Sequence, residues 1–324
     1  MNLNIKYRRN IQMENFNLED LIKHHRSNLK QKTLDMYIAN LKILNDKKAI
    51  TNLDFLFDFH IIMDKLEKYK LRTRRNYMTS ILVALGIYNT DIYNQLREKY
   101  RKVLELMTTE MNAEIELHTK NQSQSENWSN LNELKKTIYG KYKRDVKKRN
   151  LHFGTSDPSP SDIFLFQEYL VSALYLLRPP VRLNYAGMQI IRDREQIEEG
   201  KNYLLIQSDR TKYFIFGAFK NIRIIGKQEQ KVEPAINKIL NVWLNHFNKT
   251  DTLLLNSRMK PLSANGLGKL ITEVFSTDKK RVSLNLLRHI WSSEVVDLQQ
   301  NTKEKELAIA MHHSSKTQLE YVKN

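Results

Sequence analysis

The sequence predicts a mainly α-helical protein with a small antiparallel sheet, divided into two domains. Glycine and proline are scarce, with nine and six in 324 residues, which favours long helices over tight turns. Apolar residues recur at helical spacing in both halves of the chain, and short β-branched or aromatic runs follow Pro180. Because residues 118–127 have almost no apolar side chains, we place a helical domain at 1–118 and a mixed α+β domain at 119–324.

Two segments of the first domain show amphipathic helical spacing. Residues 33–44 place Leu34 and Leu41 on one face, and Thr33 is the expected N-cap. Residues 73–85 repeat the pattern, and a basic cluster lies at the start of this helix. Cations at the beginning of a helix suit a phosphate backbone, so three residues are candidate DNA contacts: Arg72, Arg74 and Arg75.

The second domain is expected to contain three short strands followed by helices. The strands are predicted at 203–207, at 213–216 and near 228–232, with a turn at 208–210 between the first two. The helices that follow are predicted at 235–247, 264–275, 284–298 and 304–312. A polar segment at 154–162 is predicted to be a loop, and the basic stretch 141–149 is either a solvated face or a further DNA contact.

Composition and charge narrow the function classes. Lys and Arg outnumber Asp and Glu by 53 to 36, a net charge of +17, which attracts polyanions: nucleic acid first, an anionic membrane surface second. The absence of cysteine excludes disulfides, thiol catalysis and cysteine-ligated zinc. We find no secretory signal, no run of eighteen apolar residues, no nucleotide-binding loop and no metal motif. An intracellular location is consistent with the lack of cysteine but not required by it, and we expect a protein located with DNA that needs neither cofactor nor metal.

The last forty residues contain several of the side-chain types that cleavage of a phosphodiester without a metal would need. Arginine guanidinium groups match the non-bridging oxygens of the transition state bidentately, and a phenol serves as nucleophile if a neighbour takes its proton. A cationic acid must protonate the leaving 5′ oxygen. The segment supplies Arg288 and His289, then His312, His313, Ser314 and Ser315, and finally Tyr321.

This segment resembles the signature of the tyrosine recombinase (integrase) family. The family pattern reads H-x-x-R-H, then G-H-S-S, then a tyrosine eight or nine residues after that second histidine. In this chain Arg288 is followed by His289, His313 stands in the second element, and Tyr321 lies eight residues after His313. Order, spacing and position near the carboxyl end all agree.

Earlier segments extend the resemblance to about residues 20–324. Residues 179–188 look like the Pro-Pro-Arg-Arg segment of integrases from giant viruses, virophages and related mobile elements, where the family's first arginine lies. Residues 214–232 resemble the β-hairpin that carries the catalytic lysine, with Lys220 in the matching place. Residues 29–44 resemble the start of the family's core-binding domain.

The chain departs from the family pattern at three positions. Asn285 replaces the histidine that precedes the second arginine; asparagine can donate a hydrogen bond to a phosphate but cannot shuttle a proton near neutral pH. His312 replaces the signature glycine. One arginine remains in the double-proline segment, Arg182, although the spacing also allows Val181 to occupy the family's slot.

The resemblance implies a site-specific DNA recombinase that cleaves and rejoins strands through a 3′-phosphotyrosyl intermediate. Tyr321 would be the nucleophile, Lys220 the acid, and His289 a further proton carrier. The phosphate oxygens would be held by Arg182, Arg288, His313 and Asn285. The family acts on double-stranded DNA as a homotetramer, which we expect here on DNA. A type IB topoisomerase and a catalytically inactive DNA-binding relative are the alternatives; a protein that uses only its charge, on RNA or a membrane surface, is a weaker one.

Overall fold

The computed structural model describes residues 16–295, which form two compact units divided after Thr119. The division lies inside the polar segment that the sequence marks as a linker. Part of that segment is nevertheless helical, because the Asn121 side chain accepts a hydrogen bond from the Gln124 backbone and the Gln124 side chain accepts one from the Asn121 backbone.

The first unit is built from helices. They are α1 (Leu18–His25), α2 (Gln31–Leu44), α3 (Phe59–Glu67), α4 (Leu71–Leu85) and α5 (Asp91–Glu116), with a 3₁₀ turn at Asp54–Phe57 before α3. Helix α4 is the centre of the unit, where Met78, Ile81 and Leu85 are fully buried against α2 and α5. The expected cap at Thr33 is wrong: Lys30, three residues earlier, occupies the N-cap position without a side-chain hydrogen bond, and α2 begins at Gln31.

The second unit is helical around a four-stranded sheet. Its helices are α6 (Gln122–Asn127), α7 (Leu131–Leu134), α8 (Gly140–Lys148), α9 (Pro160–Leu176), α10 (Ile222–Ile225), α11 (Pro234–Val242), α12 (Ala264–Phe275) and α13 (Leu284–Val295). Single π turns at Lys135–Tyr139 and Trp243–Phe247 precede α8 and follow α11, and 3₁₀ turns lie at Leu151–Phe153 and Arg194–Gln196. The core surrounds α9, whose residues from Tyr169 to Leu176 are all buried.

The sheet is mixed, which corrects the antiparallel prediction. Its strands are β1 (Gln189–Ile191), β2 (Asn202–Ile206), β3 (Lys212–Phe216) and β4 (Gln228–Lys231), in that order. The pairs β2–β3 and β3–β4 are antiparallel, as expected, whereas β1 pairs with β2 in parallel. The three-residue β1 is too short to show a period of its own, so the sequence pattern does not predict it.

The two faces of the sheet have different neighbours. Leu204, Phe214 and Phe216 pack into the main core, while Tyr203 and Ile215 belong to a small separate cluster on the opposite face. Both sides of β2 and β3 are therefore covered, which holds the loops at their ends in place. Within residues 16–295, no helix is long and apolar enough to cross a membrane.

Candidate functional site

Arg182 lies in a loop that is fixed at two backbone carbonyls. The buried hydroxyl of Tyr175, on α9, donates a hydrogen bond of 2.9 Å to the Arg182 carbonyl. The Asn202 side-chain amide, at the start of β2, donates one of 2.9 Å to the Asn184 carbonyl. Pro179 and Pro180 restrict the backbone on the way in. The Arg182 side chain itself is exposed, so the fold holds its backbone while leaving the guanidinium accessible.

A second arginine of this segment has a structural role. Arg178 is 4% exposed, its guanidinium stacks on the Phe214 ring at 4.7 Å, and Nη2 donates to the Gln230 side chain. Its Nε lies 3.6 Å from a Glu233 carboxylate oxygen. Arg178 is therefore a buried cation near one carboxylate, although its Nε and Nη1 and the Glu233 Oε2 make no hydrogen bond among the described residues.

Helix α13 presents three of the predicted site residues on one face. Asn285, Arg288 and His289 are separated by three and four positions, so their side chains are neighbours on the helix surface. Leu286, Leu287 and Ile290 are buried and anchor the opposite face. Asn285 and His289 are exposed and Arg288 is half-buried, which leaves this polar face available to a ligand.

Arg182 and Arg288 interact electrostatically. Burial lowers the pKa of Arg288, and the positive charge of Arg182 lowers it further. No ion pair within residues 16–295 involves either guanidinium. Two arginines held near each other without a carboxylate repel one another, and a phosphate between them would relieve that repulsion. The pair has the properties of an anion-binding site.

Two lysines of the sheet region have contrasting surroundings. Lys220 lies in an exposed turn between β3 and β4. Lys212, on β3, is 4% exposed, and its Nζ donates to Asn237 Oδ1 at 2.9 Å, Asn241 Oδ1 at 2.5 Å and the Arg210 carbonyl at 3.4 Å. Burial lowers the pKa of Lys212, with a smaller contribution from the charge of Arg210. Nothing in the local sequence pattern indicates this burial, since lysine is rarely buried.

The basic cluster at the start of α4 is largely engaged inside the first unit. Arg74 donates from Nε to the Tyr69 carbonyl at 2.6 Å and from Nη2 to the Glu67 carbonyl at 2.5 Å, so it caps the end of α3. Arg75 donates to Thr108 Oγ1 at 3.2 Å, on α5. Arg72 is exposed. Of the three predicted DNA contacts, Arg72 alone keeps an exposed side chain.

A stronger basic surface lies on α8. Tyr142 and Val146 bury one side of the helix, and its exposed positions are almost all cationic: Lys141, Lys143, Arg144, Lys147 and Lys148. The preceding turn contributes Lys135, whose Nζ lies 5.5 Å from the ring of Trp291, one turn beyond Arg288 on α13. The basic run therefore begins beside the helix that carries Arg288.

Several predicted residues lie outside the described part of the chain. These are the predicted helix at 304–312, the last three residues of the helix predicted at 284–298, and the signature residues His312, His313, Ser314, Ser315 and Tyr321. Among residues 16–295 no cluster of three or more histidine and carboxylate side chains could hold a metal ion. Comparison of the whole chain with protein-family models and with curated proteins finds no match.

Proposed function

We propose that this protein is a DNA strand transferase of the tyrosine recombinase type. The observation that carries the proposal is the pair Arg182 and Arg288, two interacting cations from distant parts of the chain, neither of which forms an ion pair among the described residues. The resemblance of the C-terminal segment supplies the nucleophile, Tyr321. The basic face of α8 supports DNA as the partner, because a row of exposed cations follows a phosphate backbone.

The reaction follows from the chemistry of these groups. The phenolic oxygen of Tyr321 attacks phosphorus while His313 or His289 accepts its proton. The bond from phosphorus to the 5′ oxygen breaks, and the leaving oxygen takes a proton from Lys220. Arg182 and Arg288 stabilise the charge on the non-bridging oxygens. The products are a 3′-phosphotyrosyl ester and a 5′-hydroxyl, and attack by a partner strand's 5′-hydroxyl reverses the step.

Asn285 takes a narrower role in this scheme. It stands one turn before Arg288 on the exposed face of α13, where its amide can donate to a phosphate oxygen. Because an amide does not titrate near neutral pH, proton transfer is left to the histidines and the lysine. The assembly that the family uses, a homotetramer on two DNA sites, belongs to the same proposal.

Covalent trapping on a pool of DNA sequences tests the proposal. The full chain is incubated with nicked duplexes of randomised sequence, in which cleavage releases a short 5′-hydroxyl fragment that diffuses away. We expect a complex that survives denaturation with wild type and none with Tyr321→Phe. Plasmid relaxation without strand exchange would instead indicate the topoisomerase. DNA binding without any covalent complex would indicate the inactive relative, an outcome that Asn285 would explain.

A further inference from the structure

The connection between β3 and β4 forms an apolar projection with basic flanks. Ile224 is 87% exposed and Ile225 is 55% exposed, and both lie on the single turn of α10. Exposing two isoleucines costs solvation free energy that the fold does not recover. The flanking cations are Lys220, Arg223 and Lys227, and all three are exposed.

The projection itself contains no acidic residue that would offset this charge. Residues 218–227 include neither Asp nor Glu. The next acid, Glu229 on β4, is held by Arg194 through hydrogen bonds of 3.0 Å and 2.6 Å. The projection is therefore apolar at its tip and cationic around it.

The projection is anchored beside the Arg182 loop. The Asn202 amide that donates to the Asn184 carbonyl also donates to the Ala218 carbonyl at 3.1 Å, and Asn202 Oδ1 accepts from the Ala218 backbone at 2.8 Å. Gly217 passes so close to the residue before β2 that an added Cβ would lie 2.5 Å from the Lys201 carbonyl oxygen. One asparagine thus joins the base of the projection to the loop that carries Arg182.

The other end of the projection is also fixed. Gly226 adopts a positive φ of 78°, which reverses the chain after the isoleucines. The Gln228 side-chain amide lies within hydrogen-bonding distance of three carbonyls, at 3.2 Å from that of Ile225 and 3.3 Å from those of Gly226 and Lys227. An anchored turn can hold apolar side chains against a partner at little further entropic cost.

We propose that Ile224 and Ile225 form a wedge that inserts between base pairs of duplex DNA beside the phosphate held by Arg182. Arg223 and Lys227 bind the flanking phosphates. Apolar side chains with neighbouring cations are the chemistry that unstacks a base step, and the projecting tip and uniform positive charge favour DNA over a second, equally basic copy of this chain. This inference rests on the proposed function and adds local DNA distortion at the cleavage point.

Binding to mismatched DNA tests the wedge independently of any target sequence. The full chain is titrated with a labelled duplex and with the same duplex carrying a central mismatch, over a range of KCl concentrations. Because a mismatch removes part of the unstacking cost, wild type should bind the mismatched duplex about fivefold to tenfold more tightly. Ile224→Ser with Ile225→Ser should lose this preference and keep the salt slope.

The variant that lacks the flanking cations should lose part of its salt dependence and keep the mismatch preference. Arg223→Ala with Lys227→Ala should keep the mismatch preference and reduce the salt slope by about 0.9 for each cation removed. Ile61→Ser with Ile92→Ser is the control for exposed isoleucines, which are 53% and 43% exposed in the first unit. Arg258→Ala with Lys260→Ala is the control for exposed cations.

The outcomes separate the wedge from the proposed function. An unchanged mismatch preference in the Ile224 and Ile225 variant overturns the wedge, as does a control that behaves like its matched variant. A change in oligomeric state with unchanged DNA affinity overturns it in favour of a second copy as the partner. If wild type forms the covalent complex but the Ile224 and Ile225 variant keeps the wild-type mismatch preference, the wedge is wrong and the proposed function stands. If wild type binds no duplex at all, both the wedge and the proposed function are wrong.

Discussion

The arginines of the two units differ in what they contact. In the first unit Arg74 and Arg75 stand at the start of a helix, where a phosphate could bind, yet their guanidinium groups donate to carbonyl, hydroxyl and thioether acceptors of the same unit. In the second unit Arg182 and Arg288 come from distant positions, the charge of Arg182 lowers the pKa of Arg288, and neither forms an ion pair among the described residues. A cluster of cations in the sequence therefore does not predict that the side chains are free to bind a phosphate. The hydrogen-bond acceptors around each guanidinium determine whether it is free.

Lys220 and Lys212 differ in the same way, because the first is exposed and the second donates to acceptors of its own unit. The largest expected effect is that of replacing Lys220. If Lys220 is the acid, Lys220→Ala should slow cleavage by about 10² to 10⁴-fold, since that is the usual contribution of a positioned acid. A substrate with sulfur in place of the 5′ bridging oxygen should restore the rate, because a thiolate leaves without a proton. The measurement is the single-turnover cleavage rate on both substrates.

Lys212→Met is the matched comparison for this experiment. Its ammonium already has three acceptors, so its loss should lower stability rather than create a defect that sulfur repairs. Sulfur rescue of the Lys212 variant, with none for Lys220, would transfer the acid role to the buried lysine.

Arg288→Ala should reduce strand cleavage by about 10² to 10³-fold, because removing one transition-state donor has effects of that size. Arg288→Lys should recover only part of the rate, since an ammonium keeps the charge but loses bidentate geometry. Arg75→Ala is the control from the first unit, and its cleavage rate should remain near that of wild type. Equal losses of cleavage rate for Arg288→Ala and Arg75→Ala would contradict the difference proposed between the arginines of the two units.

Arg74→Gln should destabilise the first unit by about 1.5 kcal/mol, the low end for hydrogen bonds to a charged group, because the side chain is half-buried. Urea unfolding, monitored in the full chain, measures this loss. Arg72→Gln is the neighbouring control and should leave stability unchanged. An Arg74 variant as stable as wild type would mean that the hydrogen bonds of its guanidinium do not stabilise the unit, and that the group is free to bind a phosphate.

Buried tyrosines should make the two units respond alike to alkali. Burial raises the pKa of Tyr77, in the first unit, and of Tyr142, in the second, to about 12. Since the unfolded pKa is about 10, stability is unaffected below that pH and falls between pH 10 and 12, by at most about 1.4 kcal/mol per pH unit for each phenol. Tyrosinate absorbance of wild type, of Tyr77→Phe and of Tyr142→Phe, followed with unfolding, checks this; a phenol missing from either variant that ionises near pH 10 in folded wild type would contradict it.

Amphipathic and β-branched segments were predictable from the sequence, whereas features set by tertiary contacts were not. Helix α12 begins and ends at the predicted residues because a serine caps it and its apolar residues are periodic. Helix α9 was not predicted, because its residues from Tyr169 to Leu176 are all buried and leave no polar face to set a period. The loop predicted at 154–162 is wrong at its end, where the Ser159 side chain caps α9 and Pro160 begins the helix.

The candidate site divides in the same way. The residue types at positions 182 and 288 follow from a local pattern, so the two arginines could be selected. The acceptors of Arg74 lie seven and five residues before it, at the end of α3, and two acceptors of Lys212 lie on α11. Local sequence spacing therefore could not show that these two cations donate hydrogen bonds within their own units.

The central claim, that Arg182 and Arg288 bind one phosphate group, is tested most directly by a double-mutant cycle on thermal stability. Melting temperatures of wild type, Arg182→Gln, Arg288→Gln and the double variant are measured at low ionic strength, with and without inorganic phosphate, and with Arg258→Gln as the control. Without phosphate, each single variant should melt at or above the wild-type temperature, since it relieves repulsion; with phosphate, wild type should gain the most stability. Single variants that melt lower without phosphate, or an equal phosphate gain for all, would contradict the claim.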